Sequence, residues 1–216
     1  MKLTLALIAA AVSIGSIHTL APDHWLPFAA LSKAEGWSTR RTAAITAACG
    51  LGHVTASVAL GLLALVFGLE LLQTFGQRME SISGLLLIGF GVAYAMWGLR
   101  RTVARHSHRH GDRDHHHHHH DHHRASTAWT LFLLFSADPC VAVIPLLFAA
   151  APLGWMSALL VVAAYEIATI ATMVLLVLPT RAAVSNVTGA WADRWGDALA
   201  GVVVATVGVA VMMLGI

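Results

Sequence analysis

Apolar residues in this chain fall into six long runs, Leu3–Ala21, Ala43–Leu69, Ile82–Leu99, Ala128–Ala151, Trp155–Leu178 and Ala198–Ile216, with polar residues gathered between them. Runs of this length cross, or nearly cross, the roughly 30 Å of a bilayer's hydrocarbon core as helices. The pattern predicts an all-α integral membrane protein with six transmembrane helices. Lys and Arg are distributed unevenly around them. Eleven follow helices one, three and five (Lys33, Arg40, Arg41, Arg100, Arg101, Arg105, Arg109, Arg113, Arg124, Arg181 and Arg194), whereas the other side holds Lys2 and Arg78. Loops rich in positive charge stay in the cytoplasm, which puts both termini outside. Met1-Lys2 and the run Leu3 to Ile17 have the outline of a signal peptide, but the run passes straight into a polar stretch and reads as the first membrane helix.

Three helices on either side of segment 100–127 then run in opposite senses. This is the arithmetic of a 3+3 inverted repeat: residues 1–99, a cytoplasmic loop over 100–127, and residues 128–216. Weak internal similarity supports it. Helix four carries Asp138-Pro139-Cys140 and then Pro145, where helix one carries Pro22-Asp23-His24 and then Pro27. Helix two reads Gly52-His53-Val54-Thr55-Ala56-Ser57 and helix five Tyr165-Glu166-Ile167-Ala168-Thr169-Ile170, which lays His53 on Glu166.

The polar stretch at the end of helix one is Ile17-His18-Thr19-Leu20-Ala21-Pro22-Asp23-His24-Trp25-Leu26-Pro27. Ionisable side chains at membrane depth are costly and commonly line a cavity or an ion path. On an unbroken helix His18 and His24 would stand about 240° apart and could not share a ligand sphere. Pro22 disfavours helix at Ala21 and removes a backbone donor, so the helix should break there. A half-helix starting at Pro22 brings His18, Asp23 and His24 towards one point. The plainer alternative is a kinked helix whose polar groups satisfy freed backbone. By the same reasoning helix four breaks at Pro139, unless Asp138 merely caps the half-helix that follows.

Composition agrees with the pattern. Of 216 residues 57% are hydrophobic and 11% charged, with mean hydropathy +0.72, too apolar for a soluble domain. A net charge of +2 gives no sign of a nucleic-acid partner, and two cysteines, Cys49 and Cys140, make no disulfide framework. Nothing in the chain marks an enzyme or a catalytic residue. Ser57, Gly61, Gly84, Gly89 and Gly91 read as small residues for close helix packing. Trp191, Trp195, Asp193 and Asp197 read as an interfacial anchor before helix six.

Histidine changes the picture. Of 14 histidines, 11 lie in the loop: His106, His108, His110, His115 to His120, His122 and His123. The segment lacks apolar periodicity and is expected to be disordered, and such a tract suits nickel, cobalt, zinc or copper. An engineered tag would sit at a terminus. Within the helices the candidate metal ligands are His18, Asp23, His24, His53, Asp138, Cys140 and Glu166. Glycines at 50 and 52 give His53 room to meet another backbone or an ion. Glu166 has no cation in its own helix to pair with. Imidazole and carboxylate with one thiol favour a borderline divalent ion over magnesium or calcium. Incomplete ligation of this kind suits a passing ion better than a resident structural zinc.

His18-x-x-x-x-Asp23-His24 resembles the signature of the nickel/cobalt transporter family, and Leu51-Gly52-His53 resembles that family's second short motif. The histidine-rich loop is similar to that of related nickel/cobalt efflux proteins. The motifs cover about residues 14–60, and the uptake members of the family have eight helices rather than six. The resemblance implies a transporter of nickel or cobalt, with zinc as a further cargo, and His18, Asp23, His24 and His53 as ligands. It favours export slightly over uptake; export must work against the membrane potential, and exchange for protons at ligands that bind metal only when deprotonated is the simplest coupling. No permanently bound cofactor is expected. The partners are the metal ion and the bilayer, a homo-oligomer being compatible, and the location is the inner or plasma membrane of a bacterium or archaeon. Asp138-Pro139-Cys140 with Pro145 also resembles the cysteine–proline motif of membrane domains that pass reducing equivalents, so a thiol–disulfide electron carrier using Cys49 and Cys140 is the rival. A metal-holding accessory protein for a metalloenzyme would share every ligand with the transporter.

Overall fold

The computed structural model describes residues 1–67, 69–107, 120–138, 140, 142–186 and 190–214. Among them there are helices and no strand. In chain order these are α1 (Lys2–His18), a 3-10 turn (Pro22–His24), α2 (Leu26–Ala34), α3 (Thr39–Phe67), α4 (Leu69–Ser107), α5 (His120–Ser136), α6 (Val143–Ala150, followed by a 3-10 turn Ala151–Leu153), α7 (Trp155–Ser185) and α8 (Ala190–Leu214).

Among the described residues three stretches are long and apolar enough to cross a membrane: α3, Trp155–Val184 of α7 and Arg194–Met213 of α8. A fourth is reached if α1 and Pro22–Ala34, bent by 82° at the break between them, count as one crossing. The apolar helices Ser126–Ser136 and Val143–Leu153 are shorter. Leu62, Phe67, Leu133, Ile167, Leu175 and Met213 point outward from the bundle, as lipid-facing side chains do. The chain is a helical membrane protein.

Several helices outrun their apolar cores. α3 begins at Thr39 rather than Ala43 because Ser38 caps it, its Oγ accepting the Arg41 N–H at 3.2 Å. α4 continues past Leu99 to Ser107, and α5 starts at His120, so both ends of the loop expected over 100–127 are helical. A helix once nucleated gains one bond for each residue it adds. Thr102 also anchors the α4 extension, donating to Arg194 O of α8 at 2.8 Å. The middle of the histidine tract, residues 108–119, lies outside the described residues.

The longest contact in the molecule joins α4 to α8. Gly84, Gly91 and Gly98 on α4, spaced by seven, lie in turn against Gly208 and Met212, Gly201 and Ala205, and Asp197 and Ala198 of α8. A Cβ added to Gly91 would collide with the Ala205 backbone N and stand 2.7 Å from Gly201 O. One added to Gly201 would meet the Ala95 backbone, and one on Gly208 would stand 2.8 Å from Gly84 O. In lipid, where helices gain no hydrophobic advantage by associating, such backbone-to-backbone contact supplies the dispersion that holds them. Gly89 has nothing within 4 Å and takes no part.

Polar contacts tie the arginine-rich end together. Glu35, buried at the end of α2, accepts from Tyr94 Oη of α4 at 2.8 Å and Thr127 Oγ1 of α5 at 2.9 Å, both on Oε1. Arg181 of α7 donates to Trp37 O at 2.6 Å, Lys33 donates to Val184 O at 2.7 Å, and Arg101 pairs with Asp197 at 3.2 Å. Two apolar clusters fill the interior. One holds Phe28, Leu31, Trp37, Cys49, Phe135 and Met173, the other Ala11, Val54, Cys140, Ile144, Val161 and Tyr165.

Gly91→Val should lower the thermal unfolding midpoint of the detergent-purified protein markedly, since overpacking a tight contact costs about 1–3 kcal/mol or more. Gly89→Val, two residues away and facing open space, should leave the midpoint unchanged.

Candidate metal centre

The centre begins where α1 stops. Thr19 Oγ1 donates to Gly15 O at 2.6 Å, and Leu20 and Ala21 bond back to Ile17 O and His18 O at 3.1 Å, closing the last turn tightly. Ala21, before a proline, is extended at φ −58° and ψ 133°, and Pro22 opens the 3-10 turn. Trp25 Nε1 donates to Leu20 O at 3.2 Å and occupies one carbonyl that the break releases. His24 is folded back against the end of α1, its ring centroid 4.4 Å from that of His18. Asp23 Oδ1 lies 2.9 Å from His24 Nδ1. That is an ion-pair distance, but the angles are not those of a hydrogen bond, and both atoms lack a hydrogen-bond partner among the described residues.

The third imidazole comes from the middle of α3. His53 Nδ1 lies 3.1 Å from Phe135 O, in the last turn of α5. A carbonyl can only accept, so Nδ1 carries the proton and Nε2 keeps its lone pair free. The approach is permitted by the glycines before it. Gly52 lets α5 in, since a Cβ there would collide with Ser136 Oγ and stand 2.9 Å from the Phe132 ring, while Gly50 lies against Ile170 and Met173 of α7. The ring centroids of His53 and His24 are 5.3 Å apart.

Cys140 enters between α5 and α6. Its backbone N–H donates to Ser57 Oγ at 2.6 Å, and that hydroxyl donates to His53 O at 2.7 Å, so one serine hitches the break to α3 a turn from His53. Its Sγ lies 2.7 Å from Tyr165 Oη of α7. His18, His53 and Cys140 each offer a ligand atom, all within 4.8 Å of one another. A tetrahedral ion with bonds of about 2.0–2.3 Å holds its ligand atoms about 3.3–3.8 Å apart, so the set needs a contraction of about 1 Å to close on one.

His24, His53 and Cys140 are almost wholly buried, and Asp23 is 5% exposed. His18 Nε2, both ring nitrogens of His24 and His53 Nε2 have no hydrogen-bond partner among the described residues. A buried polar atom left unpaired costs about 1–3 kcal/mol. Several unpaired ring nitrogens buried close together therefore suit a cation with affinity for imidazole nitrogen.

Five of the seven expected ligands, His18, Asp23, His24, His53 and Cys140, come together. Asp138 lies on the turn after α5, close enough for its charge to act on Cys140. Glu166 stands apart: the α7 side chain at the centre is its neighbour Tyr165, and adjacent helical residues point about 100° apart. Tyr165 is the residue that sequence reasoning passed over, met there only in a repeat alignment, whereas Ser57 reads from the sequence as a packing residue or a hydroxyl bonding its own helix carbonyl, which it does at His53 O. Cys49 and Cys140 are free thiols belonging to separate apolar clusters. Compared with models of protein families, with curated proteins and with solved structures, the chain matches none.

Ser57→Ala should remove the acceptor for the Cys140 N–H and leave a buried donor unpaired. The expected loss is about 1–3 kcal/mol, read as a lower thermal midpoint, whereas Ser13→Ala, an exposed hydroxyl on its own helix, should have no effect.

Proposed function

We propose that this protein carries a divalent transition-metal ion across the membrane, holding it at the junction of His18, His24, His53 and Cys140 with Asp23 behind His24. The observation that carries the reading is the meeting of three imidazoles with unpartnered nitrogens and one thiol where α1 bends into the segment Pro22–Ala34 and the short apolar helices α5 and α6 adjoin; Pro139, the expected second break, lies outside the described residues. Interrupted helices near the bilayer midplane are where secondary transporters place their substrates. His53 stands near the middle of α3, which suits that depth.

Part of the packing suits a 3+3 inverted repeat built from α1–α4 and α5–α8, although α2 also packs on α8 without a comparable α6–α4 contact among the described residues. α1 packs on α7 as α5 packs on α3, and α2 packs on α7 as α6 packs on α3. The pairs α3 with α7 and α4 with α8 map onto themselves when the halves are exchanged. In this scheme the interrupted segments of both halves meet the second helix of the other, and rocking one half against the other exposes the ion to alternate sides. The arginine-rich end faces the cytoplasm, with the histidine tract gathering ions there.

The resemblance of the His18–Asp23–His24 and His53 motifs to nickel/cobalt transporters names the cargo as nickel or cobalt, with zinc as a further candidate. Export follows from the likeness of the tract to efflux proteins. Moving two charges outward against 100 mV, inside negative, costs about 4.6 kcal/mol. Exchange with protons at the same ligands would offset it, because ligation requires deprotonated groups. An electron carrier would need Cys49 and Cys140 to meet, and their separate clusters favour the ion reading.

Flux of nickel, cobalt and zinc into proteoliposomes, with and without a pH gradient, tests the proposal. His18→Ala and His53→Ala should reduce flux by about tenfold or more, as loss of metal-site groups does. Cys49→Ser should transport as the parent does. Equal flux in parent and His18→Ala, or loss of function on Cys49→Ser alone, would overturn it.

A further inference from the structure

The thiol of the centre has a partner of its own. Tyr165 is completely buried, its hydroxyl 2.7 Å from Cys140 Sγ, and its ring edge would stand 3.4 Å from a Cβ on Gly15 of α1. The ring is thus held between α7 and α1 with its hydroxyl directed at the sulfur. The Cys140 backbone is held through its N–H to Ser57, so the sulfur's reach is set by χ1 alone, and it meets the Tyr165 hydroxyl. The sulfur also lies within 4.8 Å of a ligand nitrogen from each of His18 and His53, and each of those rings has a buried Nε2 with no partner among the described residues.

Resting on the transport reading, we infer that Cys140 is the ion's sulfur ligand and that the Tyr165 hydroxyl is a positioning donor which selects thiophilic divalent ions, cobalt and zinc above manganese or magnesium. The chemistry follows from the partners. A metal binds sulfur as thiolate, so the thiol proton leaves to the aqueous phase as the sulfur–metal bond forms. An anionic sulfur can only accept, so the pair then resolves to Tyr165 O–H donating to Cys140 S⁻. Such a charge-assisted bond stabilises the metal-bound form and aims the sulfur lone pairs. If Cys140 moves inward by the roughly 1 Å that tetrahedral ligation asks for, the contact with Tyr165 lengthens towards an ordinary hydrogen-bond separation and survives. Two or three imidazoles with one thiolate suit cobalt(II) and zinc, whereas manganese and magnesium prefer oxygen shells.

The test is titration of cobalt(II) into the purified full-length protein in detergent, followed by the sulfur-to-cobalt charge-transfer absorption. Imidazole-bound cobalt on the histidine tract gives no such band, so the signal reports the centre alone. The parent should develop the band, Cys49→Ser should keep it, and Cys140→Ser should lose it while still binding cobalt more weakly. Tyr165→Phe, which keeps the ring, should shift the band and weaken its titration by about 10–100-fold. Its thermal midpoint without metal should match the parent's, which separates a positioning role from damage to packing. Manganese should compete poorly with cobalt in the parent and better in Cys140→Ser. Cobalt bound at the centre without the band, or Tyr165→Phe identical to the parent in band and affinity, would overturn the inference and leave transport through imidazoles standing. A parent protein whose only cobalt is on the tract would overturn both.

Discussion

A ring nitrogen buried in a bundle that faces lipid has no water to turn to, and this constraint governs the molecule. Most of its buried polar groups are answered locally: Thr19, Ser57 and Thr102 bond carbonyls one turn back, and Glu35 takes two hydroxyls. Among the exceptions, four imidazole nitrogens of His18, His24 and His53 gather with Asp23 Oδ1 where α1 ends and α5 gives way to α6, while Trp37, Thr46 and Arg181 each leave one atom unpaired elsewhere among the described residues. Polar groups that a membrane protein leaves unpaired at depth are expensive, and they persist where something other than backbone meets them.

The scaffold that tolerates the expense is built from close backbone contact. The heptad of small residues along α4 and α8 joins two long helices through backbone contact, with the polar links Arg101–Asp197 and Thr102–Arg194 added at one end, and Gly15, Gly50 and Gly52 let α1, α3, α5 and α7 approach closely around the histidines. Close approach does two jobs at once. It supplies the dispersion that substitutes for the hydrophobic effect in lipid, and it brings a carbonyl of α5 to His53 and a hydroxyl of α7 to Cys140. Neither contact would form if these glycines carried side chains of ordinary size.

The arginine-rich end behaves differently. There Glu35, Lys33, Arg101 and Arg181 exchange bonds between helices from both ends of the chain. Here the buried Glu35 carboxylate and the Arg181 guanidinium are answered mainly by hydroxyls and carbonyls of neighbouring helices and loops, although Arg181 Nε has no hydrogen-bond partner among the described residues.

Helical class, apolar spans and a concentration of metal-ligating side chains could all be read from the chain alone, because hydropathy and the restriction that Pro22 places on Ala21 are local properties. His18, Asp23 and His24 lie within seven residues, so their meeting needed only one bend. The partners of that group were decided by packing. Tyr165 rather than Glu166 faces the sulfur because of how α7 is rotated, and Ser57 holds Cys140 because the turn after α5 docks one helical turn from His53. Helix rotation follows from which glycines meet which backbones across more than a hundred residues of chain, and periodicity along one segment carries no record of that. So the residues fit for metal chemistry were written in the sequence, and the geometry that brings them onto one point was settled only by the assembled helices.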